Sequence, residues 1–437
     1  LLFYRTVFFA GLRMVAKGEL FMEHNLREAG FFGNMEPEQI TEKYGSPVYV
    51  YNEETLRSRC RELKSMAEYP HFVIDYSIKA NFNPALLQIV KEEGLEVDVM
   101  SPGEIYLAKM AGYEADKIFY ICNNVSEEEM RYAIEAGVIT SVDSLSQLEQ
   151  YGRLNPGGKV AIRLNPGHGA GHHQKVVTAG KKTKFGIDVE MISEVKAILA
   201  RYNLTLVGLN QHIGSLFLDK EQYLKSVDTL LNCAKEFPDL EFVDFGGGFG
   251  ISYYKDDKVQ RLDLKDLGKS LDEIMYRFAE EYGREIIFRV EPGRYVTAES
   301  SVLLGTVNTV KTNHGKKYVG TDIGFNVLMR PVLYDSYHEI ELYGKHAETS
   351  GVKETVTVVG NICESGDILA EDRELPAVKE KDIIGVRDAG AYGHVMSSNY
   401  NGRLRPAEVL VKNSGEICLI RKRDTLEDLV RNYVLLP

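Results

Sequence analysis

The sequence predicts an α/β fold, a (β/α)8 barrel followed by an all-β C-terminal domain of sandwich or barrel type. Three observations carry this. Between Phe72 and Glu291, eight short apolar runs alternate with segments of helical periodicity, the pattern of parallel strands joined by crossover helices. After Gly293 the texture changes to strand-like runs with few helices between them. Charged residues and glycine turns fall at the ends of the apolar runs, where parallel barrels place their chemistry. A doubly wound open sheet is the alternative, but it has no need of eight similar units.

The elements follow in order. Leu1 to Ala10 is apolar but carries Arg5 and lacks a small-residue cleavage pattern, which argues against a signal peptide. Met14 is expected as the natural start, with residues 1–13 an extension. A helix is expected over Pro37–Tyr44, a turn at Gly45-Ser46-Pro47, a strand over Val48–Tyr51 and an amphipathic helix over Glu53–Tyr69. The barrel strands are then Phe72–Lys79, Glu96–Met100, Lys117–Cys122, Ile139–Val142, Lys159–Leu164, Thr205–His212, Glu241–Phe245 and Glu285–Glu291. The second domain reads as strands Ser301–Thr312, Lys317–Asp322, Thr355–Gly360, Asp382–Arg387, Ala407–Val411 and Ile417–Lys422. The expected boundaries are 45–299 for the barrel and 300–437 for the β domain, the latter completed by residues 14–44.

The chain has 437 residues, 44% of them hydrophobic and 27% charged, enough for a large core and unlike a disordered chain. A net charge of −12 argues against nucleic acid or a membrane surface as the main partner. No run approaches the ~20 apolar residues of a membrane span. Five scattered cysteines without a Cys-x-x-Cys pair favour reduced thiols in the cytoplasm.

Lys79 ends the run Phe72-Val73-Ile74-Asp75-Tyr76-Ser77-Ile78-Lys79, and Asn81, Asn83 and Pro84 then start a helix over Ala85–Glu93. A lysine desolvated at such a strand end can lose its proton and attack a carbonyl; taken alone it is also an ordinary solvent-facing lysine. His212, in His212-Ile213-Gly214-Ser215, follows the sixth run and could stack on a planar ring or simply fill the core. Gly246-Gly247-Gly248-Phe249-Gly250 follows the seventh, and bare amides in such a turn can cradle a phosphate. Glu291-Pro292-Gly293-Arg294 ends the eighth and places a carboxylate and a guanidinium at the barrel mouth, where a simple ion pair is the less favoured alternative. In the second domain, Cys363-Glu364-Ser365-Gly366-Asp367 suggests an exposed thiol, and Asp388-Ala389-Gly390-Ala391-Tyr392-Gly393 a tight turn carrying a tyrosine. His168, His172 and His173 lack further ligands at metal spacing, so no metal is expected. Lys181, Lys182 and Lys184 read as a solvated loop. Together, a nucleophilic lysine, a stackable ring, a glycine turn and a carboxylate suit pyridoxal 5′-phosphate.

From about Ile40 to Val430 the chain resembles the fold-type III pyridoxal-phosphate decarboxylases. The resemblance rests on six motifs in the family's order: Tyr76-Ser77-Ile78-Lys79-Ala80-Asn81, His212-Ile213-Gly214-Ser215, the triple glycine, Glu291-Pro292-Gly293-Arg294, Cys363-Glu364-Ser365 and Gly390-Ala391-Tyr392. It implies that Lys79 carries the cofactor, His212 stacks on its ring and Glu291 faces its nitrogen. Ser215, Gly248, Gly293 and Tyr392 would surround the phosphate. Arg294, Arg330, Tyr334 and Glu364 would hold the substrate, with Arg294 and Tyr392 serving cofactor and substrate alike, and Cys363 would donate a proton. The Cys363–Glu364 loop would reach the partner subunit's site in a homodimer.

Met329-Arg330-Pro331-Val332-Leu333-Tyr334 resembles the segment that binds a distal carboxylate in members acting on meso-2,6-diaminopimelate. The implied reaction is decarboxylation of that substrate to L-lysine and CO2. A carboxynorspermidine or other diamino-acid decarboxylase of the same fold is the nearest alternative. A racemase is disfavoured because Glu291 stands where racemases place arginine. A non-catalytic cofactor carrier is disfavoured because such carriers usually consist of the barrel alone. Asn210-Gln211 before His212, Ala179 before Gly180 and the N-terminal extension depart from the family pattern and blur the substrate more than the chemistry.

Overall fold

The structure, a computed structural model, describes residues 25–167, 178–180, 183–255, 261–344 and 353–437. The first strand, β1 (Val48–Asn52), is followed by β2 (Phe72–Ser77), β3 (Glu96–Val99), β4 (Ile118–Ile121), β5 (Ile139–Val142) and β6 (Lys159–Asn165). After the two-residue β7 (Ile187–Asp188) come β8 (Thr205–Asn210), β9 (Phe242–Gly247) and β10 (Ile287–Glu291). Strands β2, β3, β4, β5, β6, β8, β9 and β10 pair in parallel in that order, and β10 closes on β2. All eight expected barrel strands are present, with ends shifted by a few residues.

Burial explains why they form. Every residue of β4 and of β9 is buried, as in strands covered on both faces. Inside the ring Phe119 meets Phe242 edge to face at 5.2 Å. Arg289 lies over Phe242 and pairs with Asp75 and Glu96, each at 2.8 Å. The outer helices bury one stripe. Leu264–Tyr282 buries Leu264, Leu267, Leu271, Met275 and Phe278, the three-and-four spacing of one helical face. Ser101 and Ser126 cap their helices by accepting from Glu104 and Glu129 amides.

Strand β2 stops at Ser77, and Lys79 lies in a 3₁₀ turn, Ile78–Ala80, rather than in the strand. The ladder ends there because Ser77 turns to β10: its amide donates to the Pro292 carbonyl and its hydroxyl to the Glu291 carbonyl. Asn83 then caps the helix Pro84–Glu92.

The second sheet contains β11 (Ser301–Asn313), β12 (Lys316–Thr321), β13 (Ile340–Leu342), β14 (Lys353–Val359), β15 (Ile368–Pro376), β16 (Ile383–Arg387), β17 (Ala407–Val411) and β18 (Ile417–Arg421). Its main path runs β15-β14-β12-β11-β1-β17-β18. Thus β1, expected at the front of the barrel segment, pairs instead with β11 (Val48 opposite Leu304) and with β17 (Val48 opposite Ala407). Its four apolar residues are buried between these partners. Leu26, Phe31, Phe32 and Ile40 pack with Val48, Val50, Val302 and Val409, so residues 25–44 rest on this sheet. The expected Met14 start, residues 14–24, His168, His172, His173, Lys181 and Lys182 lie outside the described residues. Among the described residues, no helix is long and apolar enough to cross a membrane.

Candidate active site

One cavity at the carboxyl ends of the barrel strands is lined by Ser77, Lys79, His212, Ser215, Gly248, Glu291, Gly293, Arg294 and Tyr392. Eight residues singled out in the sequence therefore converge, although up to 313 positions separate them.

The local chain explains each placement. Gly248 has φ of +104°, and a Cβ there would lie 2.5 Å from the Gly214 carbonyl oxygen, so only glycine fits this turn. The Gly246 and Gly247 amides are engaged by Asp244 Oδ1 and His212 Nδ1; Gly248 is the member of the triple glycine that lines the cavity. Tyr392 has φ of +56° and donates its amide to the Ala80 carbonyl at 2.8 Å. A tyrosine held in that left-handed region marks a constrained position, here tied to the turn carrying Lys79. Arg294 donates to Ser215 Oγ at 2.9 Å and to the Tyr253 hydroxyl at 2.8 Å, and its guanidinium lies over the Tyr392 ring.

Lys79 Nζ is 3.6 Å from Asp98 Oδ2. Burial disfavours the ammonium, but the Asp98 and Glu291 carboxylates outweigh it and hold Lys79 above its ordinary pKa. The expected desolvated, neutral lysine is thus opposed by two carboxylates. Burial pushes Asp98 up to about 8, against the pull of Lys79. Glu291 is opposed by burial, but contacts with His212, Lys79 and Asp244 keep it ionised below the usual carboxylate range. Burial and the adjacent Glu291 charge hold Asp244 well above that range. Burial keeps His212 below its ordinary value, and its Nδ1 lies 3.3 Å from Glu291 Oε2.

The residues present fit pyridoxal 5′-phosphate. Glu291 Oε1 is buried without a hydrogen-bond partner among the described residues, an acceptor suited to a donor such as a protonated ring nitrogen. Lys79 is an amine aimed into the same cavity, and Ser215, Arg294 and the Gly248 turn form a donor set for a phosphate.

Arg330 and Tyr334 lie on the short helix Arg330–Tyr334, beside this cavity rather than in its lining. Arg330 stacks on Tyr253, the ring that also receives Arg294. Tyr334 is half-buried. Cys363 and Glu364 are exposed on a turn of the β domain and do not line the cavity. The buried Asp367 builds that turn by accepting from the Phe325 and Ile362 amides, each at 2.7 Å. Glu364 accepts from the Tyr400 hydroxyl, and the Cys363 amide donates to Asn401.

Sequence reasoning missed Asp98, Asp244, Tyr253 and His338. The first two carried a signal: an aspartate flanked by apolar residues in a barrel strand, as in Val97-Asp98-Val99 and Val243-Asp244-Phe245, is buried, and a buried charge in such a strand invites a role.

A family model, "Pyridoxal-dependent decarboxylase, pyridoxal binding domain", matches residues 53–298. The chain is 40% identical to the diaminopimelate decarboxylase of Methanothermobacter thermautotrophicus, over 91% of this chain and 94% of that protein. It is 34% identical to that of Escherichia coli, over 90% and 94%. Among solved structures it is similar to the diaminopimelate decarboxylase of M. jannaschii in co-complex with L-lysine, with a TM-score of 0.81 at 33% identity over 92% of this chain and 95% of that one.

Proposed function

This chain belongs to the pyridoxal-dependent decarboxylases, among the diaminopimelate decarboxylases, and from that premise we propose that it releases CO2 from meso-2,6-diaminopimelate and leaves L-lysine. The observation that carries the reading is the joining of Lys79, Glu291, His212 and Arg294 in one cavity, with the buried cation Arg330 beside it. The L-lysine held by the similar M. jannaschii structure supports the product.

Bound pyridoxal 5′-phosphate supplies an aldehyde for amines and an electron-withdrawing ring that draws the electron pair from the breaking carbon–carbon bond. The protein's residues do the rest. Lys79 would hold the cofactor through its amine, and Asp98, 3.6 Å away, would receive or return the Lys79 proton. Glu291 would keep the ring nitrogen protonated, and His212 would pack on the ring. Ser215, Gly248, Gly293 and Tyr392 would hold the phosphate, with Arg294 adding charge. Arg330 takes the distal carboxylate and orients the opposite end of the substrate towards the cofactor, with Tyr334 alongside.

Cys363 would supply the proton that replaces CO2, and Glu364 would help to hold the substrate. Because both lie exposed on the β domain, the reading includes a homodimer in which this turn completes the partner's cavity. Five free cysteines suit the cytoplasm, where thiols stay reduced.

Incubation of the purified holoprotein with meso-2,6-diaminopimelate tests the function: CO2 and L-lysine should appear in equal amounts. Turnover of a diamine-type monocarboxylate in its place would favour the alternative substrate class.

A further inference from the structure

Arg330 is held by a neutral base. The residue is 1% exposed, and Nη1 lies 2.7 Å from His338 Nε2. Nη2 donates to Ser336 Oγ at 3.3 Å, and the guanidinium rests 4.6 Å over the Tyr253 ring. None of these three partners is a carboxylate. Nε is buried without a hydrogen-bond partner among the described residues.

Arginine can only donate, so His338 Nε2 must present a lone pair to it. The imidazole proton then resides on Nδ1, which lies 2.7 Å from the Arg387 carbonyl oxygen and donates to it. That carbonyl belongs to the end of β16, so the sheet itself selects the tautomer. Tyr253 closes the other side, 5.1 Å from the imidazole and edge-on. His338 is 1% exposed; burial and the adjacent guanidinium keep its pKa well below the ordinary value. The same burial, with Arg294 adding repulsion, brings Arg330 down to about 10, the mark of a cation short of compensating charge.

We propose that His338 is a positioning residue that orients Arg330 without neutralising it, leaving the full guanidinium charge to a substrate carboxylate and so selecting substrates with an acid at the far end. The proposal rests on the reading that Arg330 takes the distal carboxylate. A glutamate in place of His338 would form a resident ion pair, and an incoming carboxylate would have to compete with it. A neutral imidazole fixes the fork and leaves the buried charge to be satisfied by ligand. L-Lysine keeps the distal carboxylate; 1,5-diaminopentane lacks it. The two therefore report on Arg330 separately.

The experiment compares His338→Glu, His338→Gln and Arg330→Ala holoenzymes, measuring KM and kcat for meso-2,6-diaminopimelate and Kd for L-lysine and 1,5-diaminopentane. His338→Glu should raise KM and the L-lysine Kd about tenfold or more, with kcat, cofactor absorbance and the diamine Kd little changed. His338→Gln can accept from Arg330 and donate to the Arg387 carbonyl, so it should stay within about threefold of the parent. A merely structural role would instead lower kcat and cofactor content together. Should His338→Glu fail to fold, His338→Leu, which removes the acceptor without adding charge, carries the same expectation of raised KM. The proposal is overturned if the folded variant leaves KM and the L-lysine Kd unchanged while Arg330→Ala raises both. If Arg330→Ala raises neither, the reading beneath the proposal fails, and the proposal fails with it.

Discussion

Lys79 Nζ stands 3.6 Å from Asp98 Oδ2 at the mouth of the barrel, a buried carboxylate directly beside an amine that lines the cavity. The carboxylate comes from β3 and the amine from the turn after β2, so neighbouring strands bring them together. The pair favours an ammonium in the apoprotein. On the proposed function, cofactor capture would begin with loss of a proton from Lys79, at a pH that Asp98 helps to set.

Asp98→Asn removes the carboxylate that contributes most to raising the Lys79 pKa. With less negative charge nearby the ammonium loses support, its pKa falls, and the free amine is present at lower pH. The rate at which apoprotein takes up pyridoxal 5′-phosphate, followed by visible absorption, should still rise with pH. Its midpoint should move to lower pH than in the parent. An unmoved or raised midpoint would contradict the pairing.

Arg330→Ala should weaken substrate recognition and leave the cofactor in place. Truncating one partner of a desolvated charge pair costs about 2–5 kcal/mol. At ~1.4 kcal/mol per decade, kcat/KM should fall roughly 30- to several-thousand-fold. Steady-state kinetics with meso-2,6-diaminopimelate measure this, and normal kinetics would return Arg330 to a structural role.

Lys79 faces the barrel cavity, while Cys363 and Glu364 are exposed on the β domain. Lys79→Ala and Cys363→Ala homodimers should each be nearly inactive. In a mixed dimer with shared sites, one site carries both changes and the other neither. Unfolding the two inactive proteins together and refolding them should recover about a quarter of the parent activity under random association. If heterodimers form, as verified by mass, and activity stays absent, each turn serves its own subunit.

Much of this architecture is legible in the amino-acid sequence. Buried parallel strands are continuous apolar runs, so β4 and β9 stand out, and the glycines after β9 announce a turn that tolerates no side chain. Strand pairing is not legible. Val48–Asn52 is visibly a strand, but its partners begin at Ser301 and Ala407, and no local signal reaches that far. β15 escapes because its centre, Glu371-Asp372-Arg373-Glu374, is charged and largely exposed, which in sequence resembles a loop. The roles of Asp98 and His338 depend on contacts from other strands, with Lys79 and with the Arg387 carbonyl. Their residue types are visible in the sequence; their neighbours are not.

The central claim is that the cavity is organised around one amine, that of Lys79. Borohydride reduction of the yellow holoprotein locks the cofactor onto whichever amine holds it and abolishes the visible absorption. Proteolysis and mass mapping should then place the pyridoxyl group on Lys79 alone. A pyridoxyl group on any other lysine, with Lys79 unmodified, would contradict the account.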